Sequence, residues 1–538
     1  MGARSGRILA ALLTAALASA AAGAAEVPEI AKALHELKKA PPLPKPTGPV
    51  VRVKTAQELV RAVNSLRSGQ TIMLAPGTYR PGTTLVVGSP NKNAEPLRNI
   101  AIRGETGKRG DVIVTGPGQE NRGGRPRIGF QFYNVDGALL ADLSVGDFFY
   151  HPIMCQGGAG CKKVRMYNLR IFDAGEQFVK GTPGGPGRTG AKDCIVEHCL
   201  IEYTKIGPIA NDGYTQGVDF HRGDRIIVRD CLFRNMHVKP GLRHQYGPAV
   251  LMWNDSRDTV VERCVFLDCD RGVALGLSNR RGGTDHRGGV IRNNFFYTSK
   301  RIKNADCPIM AWNSPGTLIY HNTVLTNGTY MNAIEYRFAG SKDIVIANNI
   351  TYAPIAARNG AKAELYGNFT KATASMFVDA PGCDLRLKQS FGAIVKRAAP
   401  LRAPVKPADC AVDFEGHARR TDGPGDIGAD QFGTSPATLA AKPASTGPPT
   451  GSGEAGGAGR AGGAGEAKPP AAGAAAGEEK PKVDPKAAEL YRAARSAERA
   501  GMKDIARLLY ERLVKEHPES PLTQKAKKAL AKLGGLAG

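Results

Sequence analysis

The sequence predicts an all-β fold of the solenoid kind, a parallel β-helix, and three observations carry that prediction. First, one phrase recurs: "CIVEHCLI" from Cys194, "IIVRDCLF" from Ile226, "TVVERCVF" from Thr259, "GVIRNNFF" from Gly289, "TLIYHNTV" from Thr317 and "DIVIANNI" from Asp343. Its markers, Cys199, Cys231, Cys264, Asn294, Asn322 and Asn349, lie 32, 33, 30, 28 and 27 residues apart, the period of a stacked turn. Second, Val196, Val228, Val261, Ile291, Ile319 and Ile346 stand three residues before the markers, an unbroken β-branched column that suits a stacked strand. Third, the units are rich in Gly and Asn and poor in helix signals, so each buries its inward side chains only against its neighbours. Weaker copies extend the series backwards through Asn168 in "VRMYNLRI" and Asp142 in "LLADLSV".

In chain order, residues 1–25 read as an export signal: Arg4 and Arg7 precede "ILAALLTAALASAAAGAA", and Ala22-Gly23-Ala24 supplies the small-x-small cleavage pattern. Residues 26–49 read as a linker. Thr55 and Glu58 then make a capping box for an amphipathic helix that would cover the open first turn of a domain over residues 50–433. Asparagines at the repeated corner predict an amide ladder along the stack. Cysteines at the same corner read as small buried residues rather than zinc ligands, because neither CxxC nor His spacing accompanies them.

These turns, the opening "TIMLAPGTYR" and the closing "DFEGHARRTDGPGDIGADQF" resemble the secreted right-handed parallel β-helix proteins of the pectin-lyase-like superfamily, over about residues 50–433. The resemblance implies a right-handed coil. It implies no single activity, since that scaffold carries lyases, hydrolases, epimerases and adhesins. The "GHG" with paired aspartates of polygalacturonases is absent, and "VDFHRGD" only loosely echoes the "WIDH" of pectate lyases.

Residues 434–483 contain no aromatic residue and read as a Gly/Ala/Pro-rich disordered linker. Residues 484–538 return to helical periodicity: Asp484-Pro485 starts a helix, Leu490, Ala494 and Ala497 form one stripe, and Ile505, Leu508, Leu509 and Leu513 the next. The pattern resembles one tetratricopeptide-like helical hairpin. A single unit is too little for a solenoid, so it implies a small bundle, a dimer or docking on a protein partner.

Each turn also carries a second strand, aligned on Val218, Val250, Val273, Ile309 and Ile334. Phe220, Met252, Leu275, Ala311 and Tyr336 follow two residues later, so that parity points inward. The outward columns are then Asp219, Leu251, Ala274, Met310, Glu335 and His221, Trp253, Gly276, Trp312, Arg337. Both tryptophans of the chain thus share one outer face, two rungs or roughly 10 Å apart. Aromatic platforms edged by carboxylates, an imidazole and a guanidinium suit an extended acidic sugar chain; packing beneath the chain's own loops is the competing expectation. In "AGEQFVKGT" either Phe178 or Val179 faces inward, and only the second places Lys180 beside Asp219.

The formal charge of +24 in an exported chain fits either acidic polysaccharides and cell-envelope polymers, ahead of nucleic acid, or simply a solvated surface, and no later run is apolar and long enough to span a bilayer. The protein is expected to be secreted or periplasmic, with disulfides closing Cys155 to Cys161 and tying Cys383 to Cys410. For a uronan the economical reaction is β-elimination, with His221, Lys180, Lys239 or Tyr246 as base and Arg337, Arg243 or a Ca²⁺ held by Asp219 as stabiliser. No other cofactor is implied. The catalytic set is therefore His221, Lys180 and Arg337, and Trp253, Trp312, Asp219, Glu335, Arg243 and Tyr246 bind substrate. Hydrolysis by Asp219 and Glu335 is disfavoured, since four rungs, roughly 19 Å, separate them. The alternative is a carbohydrate- or envelope-binding protein without catalysis, its helical tail recruiting a partner.

Overall fold

The computed structural model describes residues 28–91, 93–183, 190–204, 215–237, 247–280, 283–303, 305–420 and 423–433, and within the tail 484, 487–488, 490–491, 494–495, 498 and 503–532. The chain falls into two units, Met1–Thr450 and Gly451–Gly538. The first is a right-handed parallel β-helix. Three parallel sheets, of 12, 10 and 10 strands, run the length of the coil, and successive turns supply one strand to each. The inward side chains form one continuous core, in which the rings of Phe233, Phe266 and Phe296 stack at 4.9 and 4.5 Å.

The register follows the β-branched columns. Val196, Val228, Val261, Ile291, Ile319 and Ile346 are successive partners in the 12-stranded sheet. At the following corner Asn294, Asn322, Asn349 and Asn368 form the predicted ladder, each side-chain amide donating to the next side-chain oxygen at 2.9–3.0 Å. Cys264 joins through its backbone N–H to Asn294 Oδ1 at 2.9 Å, and Cys199, Cys231 and Cys264 are fully buried thiols. The weaker copies belong one residue later than the sequence suggested. Tyr167 pairs with both Ala141 and Glu197, which puts Leu143 and Leu169 in the ladder column. Asp142 and Asn168 instead share the preceding corner with His198, Asp230, Arg263, Asn293, His321 and Asn348, all at φ between 50° and 62°. Asn and Asp tolerate that left-handed conformation best, so an asparagine fits either column.

Two segments outside the coil close it. Helix α1 (Lys32–Leu37) lies in the stretch read as a linker, yet Ile30 and Leu34 are buried in a second core with Leu200, Leu232, Phe295 and Phe414. Lys38 is likewise buried, its Nζ donating to Phe414 O at 2.6 Å and sitting 3.8 Å above the Phe414 ring. Apolar residues donated by the far end of the chain make this a strap, not a spacer. Helix α2 (Ala56–Asn64) covers the first turn with Leu59 and Val63, and Thr55 and Glu58 exchange the capping-box bonds at 3.2 Å. All ten cysteines are free and buried. Cys383 lies in the strap core and Cys410 packs with Tyr320 and Val405, so no bridge joins them. Cys155 and Cys161 are neighbouring thiols packed with Cys194 rather than a disulfide.

Around the chain's return, burial raises the Asp430 carboxyl to about 7, and Asp413 and Glu415 beside it add to the effect. The folded state therefore keeps a proton that the unfolded chain releases near pH 4, and this contribution to stability drains away as pH rises from about 4 to about 7. Asp430→Asn is expected to gain on the parent protein across that window, by about 4 kcal/mol at most, in urea denaturation at pH 4, 5.5 and 7.5. A stability difference that does not change with pH would refute it.

In the second unit, α3 (Lys503–Glu516) packs on α4 (Thr523–Lys532) through Ala506, Tyr510, Leu513, Ala526 and Ala529, with Ala494 in the same core. No helix among the described residues is long and apolar enough to cross a membrane. The export signal and the linker over 434–483 lie outside the described residues.

Candidate functional site

The second-strand columns stand where their parity put them. Val179, Val218, Val250, Val273, Ile309 and Ile334 are successive partners, all fully buried. Val179 is thus the inward residue, and Phe178 turns into the core against Tyr203, 4.7 Å between ring centres. Lys180 consequently pairs in register with Asp219 on the outer face.

There the side chains form a connected group. Lys180 Nζ donates to Asp219 Oδ2 at 2.7 Å and lies 2.9 Å from His221 Nε2. The Trp253 indole N–H donates to Asp219 Oδ1 at 2.9 Å, and its ring packs 4.7 Å from the imidazole of His221. Asp219 is buried, whereas the side chains of Lys180 and His221 keep 14 % and 16 % of their exposure, so the two nitrogen bases alone face outward. Burial alone would raise the Asp219 carboxyl, but the charge of Lys180 and the bond to His221 outweigh it and hold it at about 2. One rung back His151 is held neutral, down to about 4, by burial and by the Lys180 charge.

Three residues that sequence reasoning did not single out support the group. Asn254, in the left-handed region at φ 59°, ends the Trp253 strand and places its amide against His221 Nδ1 on one side and Arg280 on the other. Arg280 pairs with Asp285, whose carboxylate also accepts the backbone N–H of Asn254, Leu277 and Ser278 at 2.6–2.9 Å. The signal for Asn254 was present, since both tryptophans precede an asparagine; nothing in the sequence marked Arg280 or Asp285.

The other half of the expected site is separate. Arg337 stands four register steps from His221, about 19 Å, too far to act on the same carbon. Glu335 is fully buried, accepting from Tyr330 Oη at 2.5 Å, Asn332 Nδ2 at 3.0 Å and Arg358 Nη1 at 3.2 Å, so it cannot meet substrate. Nor is the trough between the indoles open. Leu251, Ala274 and Met310 are fully buried and Trp312 is 7 % exposed, in a cluster joined by Cys307, Tyr330 and Phe338 from the connecting loops. Of the two indoles, Trp253 is the one that remains half-buried. Arg243, Tyr246 and Lys239 lie outside the described residues.

Asp219 is buried at 1 % exposure and paired with Lys180 at 2.7 Å, which disfavours the Ca²⁺ expected there. Among the described residues, Asp413, Glu415 and His417 bring metal-type ligand atoms within 4.8 Å of one another. Arg386 already pairs with Glu415 at 2.9 Å, and Asp413 accepts the backbone N–H of Glu415, His417 and Gln431, so this group serves as an internally satisfied end of the coil.

No protein-family model matches the chain, and no curated protein matches it. Solved structures with a similar coil include pectate lyase Pel9A, 15 % identical over 72 % of this chain and 97 % of that one with a TM-score of 0.48. An alginate lyase from Paenibacillus sp. str. FPU-7 is 18 % identical over 59 % of this chain and 97 % of that one, with a TM-score of 0.39. PfbA, a surface adhesin of Streptococcus pneumoniae, is 12 % identical over 59 % and 87 %, with a TM-score of 0.40. At these identities the likeness concerns the fold, and activity rests on the side chains.

Proposed function

We propose that the outer face at Lys180, His221 and Trp253 binds an acidic polysaccharide and cleaves it by β-elimination. The observation that carries this reading is the pair of part-exposed bases, 2.9 Å apart, braced by one buried carboxylate beside a half-buried indole. Lys180 Nζ and His221 Nε2 stand within hydrogen-bond reach of each other, so a proton taken up by one can pass to the other. In the reaction one of them takes the proton α to a uronate carboxylate. The released electron pair forms a carbon–carbon double bond, the β carbon–oxygen bond breaks, and the departing glycosidic oxygen takes up a proton. Arg280, joined by Lys180 where His221 is the base, is the cation near enough to stabilise the carboxylate as charge develops, rather than the distant Arg337.

The test is to incubate the protein with a panel of uronans, with and without Ca²⁺, and follow ultraviolet absorbance of the unsaturated product. The burial of Asp219 and its pairing with Lys180 favour a Ca²⁺-independent rate. Retarded migration in a polysaccharide-containing gel without any unsaturated product would instead establish a binding protein. In that second reading the helical tail recruits a partner.

A further inference from the structure

Four register steps beyond His221, the outer column ends in two guanidiniums in successive rungs, Arg337 and Arg358. Like charges directly opposite one another repel. Only one of them is neutralised: Arg358 pairs with buried Glu335 at 3.2 Å, whereas Arg337 has no carboxylate partner among the described residues. Among the described residues its guanidinium makes one hydrogen bond, from Nε to the neutral Asn359 Oδ1 at 2.7 Å. The Arg337 guanidinium is nevertheless fixed in place, 4.7 Å from the ring of Trp312 and 4.8 Å from that of Phe338. Beneath it the Trp312 indole N–H is buried with no acceptor among the described residues, a cost of about 1–3 kcal/mol where a donor stays unpaired. A held but uncompensated cation lying on two aromatic rings, with a second guanidinium one rung on, suits a ligand with a carboxylate and an apolar face.

We infer that Arg337 and its aromatic bed form a distal carboxylate subsite, so that the ligand is a chain of several uronate residues lying across the rungs, over the loop residues that close the trough, rather than a short end unit. This rests on the proposed polysaccharide reading and adds its length and its second anchor. The two anchors stand about 19 Å apart, more than a disaccharide spans. Arg337 is therefore a binding residue, and the proton transfer belongs to the Lys180 end.

The experiment measures binding of a size series of oligogalacturonates and oligoalginates, from dimer to octamer, to the full chain and to Arg337→Gln and Arg337→Lys, after equal thermal midpoints have shown that the variants fold. The wild type is expected to bind hexamer and octamer more tightly than dimer and trimer. Arg337→Gln should lose about tenfold or more on the long oligomers, the worth of one charge-assisted pair, and nothing on the short ones. Arg337→Lys should recover part of the loss, since charge is kept and the flat stacked fork is not. Wild-type binding that does not grow with length, or growth that survives in Arg337→Gln, overturns this inference and leaves the parent reading standing. A wild type that binds no oligomer of either series overturns both.

Discussion

Asn322→Ala is expected to destabilise the coil by about 4 kcal/mol, and Cys231→Ala, three rungs away in the same column, by about 1. Both side chains are fully buried, so exposure does not distinguish them. Hydrogen bonding does. Asn322 Nδ2 donates to Ile291 O at 2.9 Å and to Asn349 Oδ1 at 3.0 Å, and its Oδ1 accepts both the backbone N–H and the side-chain amide of Asn294. Alanine removes these together and leaves neighbours on both rungs unpaired in the interior, each costing about 1–3 kcal/mol. The Cys231 thiol makes only weak contacts, to Arg229 O at 3.2 Å and Val196 O at 3.5 Å, and its loss is mainly a small cavity. Urea denaturation of the two variants decides the matter. Equal midpoints would mean that the amide ladder merely fills the corner and that β-branched packing alone sets the stability.

The same comparison explains what the sequence could disclose. Strand register was legible because Val and Ile recur at every rung, and a one-residue slip would carry the whole column from core to solvent. Parity alone put Trp253 and Trp312 on one outer face and allowed Lys180 to meet Asp219, as the pairing of Val179 with Val218 shows. The misplaced copies at Asp142 and Asn168 arose because asparagine and aspartate suit both the ladder and the left-handed corner before it. Burial was the poorly legible quantity. Ile30 and Leu34 are covered by residues such as Phe414, nearly 400 positions away, and a proline-rich stretch gives no local sign of such a contact. The trough was misjudged for the same reason: Cys307 and Tyr330 come from loops whose paths no periodicity specifies, and they help close over Met310 and Trp312. Arg280 and Asp285 are likewise joined to His221 only through the fold.

Removing the base pair one member at a time should separate chemistry from support. Lys180→Met is expected to abolish formation of unsaturated product and also to destabilise the protein by about 3–5 kcal/mol, because Asp219, buried at 1 % exposure, loses the ammonium at 2.7 Å. The sign with pH follows from Asp219. Its folded carboxyl lies below the unfolded value, so the stability it contributes is present above about pH 4 and is lost as pH falls through about 2. In Lys180→Met that depression shrinks, and the deficit relative to the wild type should be largest near neutrality and smallest in acid. His221→Gln is the cleaner probe, since glutamine offers an amide where Lys180 and Asn254 approach and leaves the Asp219 pair intact. A stability cost within about 1 kcal/mol combined with a rate loss of about a hundredfold or more would make His221 the base. Retention of rate in His221→Gln, with loss in Lys180→Met beyond what the unfolded fraction explains, would assign the proton abstraction to Lys180. Full rate in both variants would remove β-elimination from this end of the face altogether.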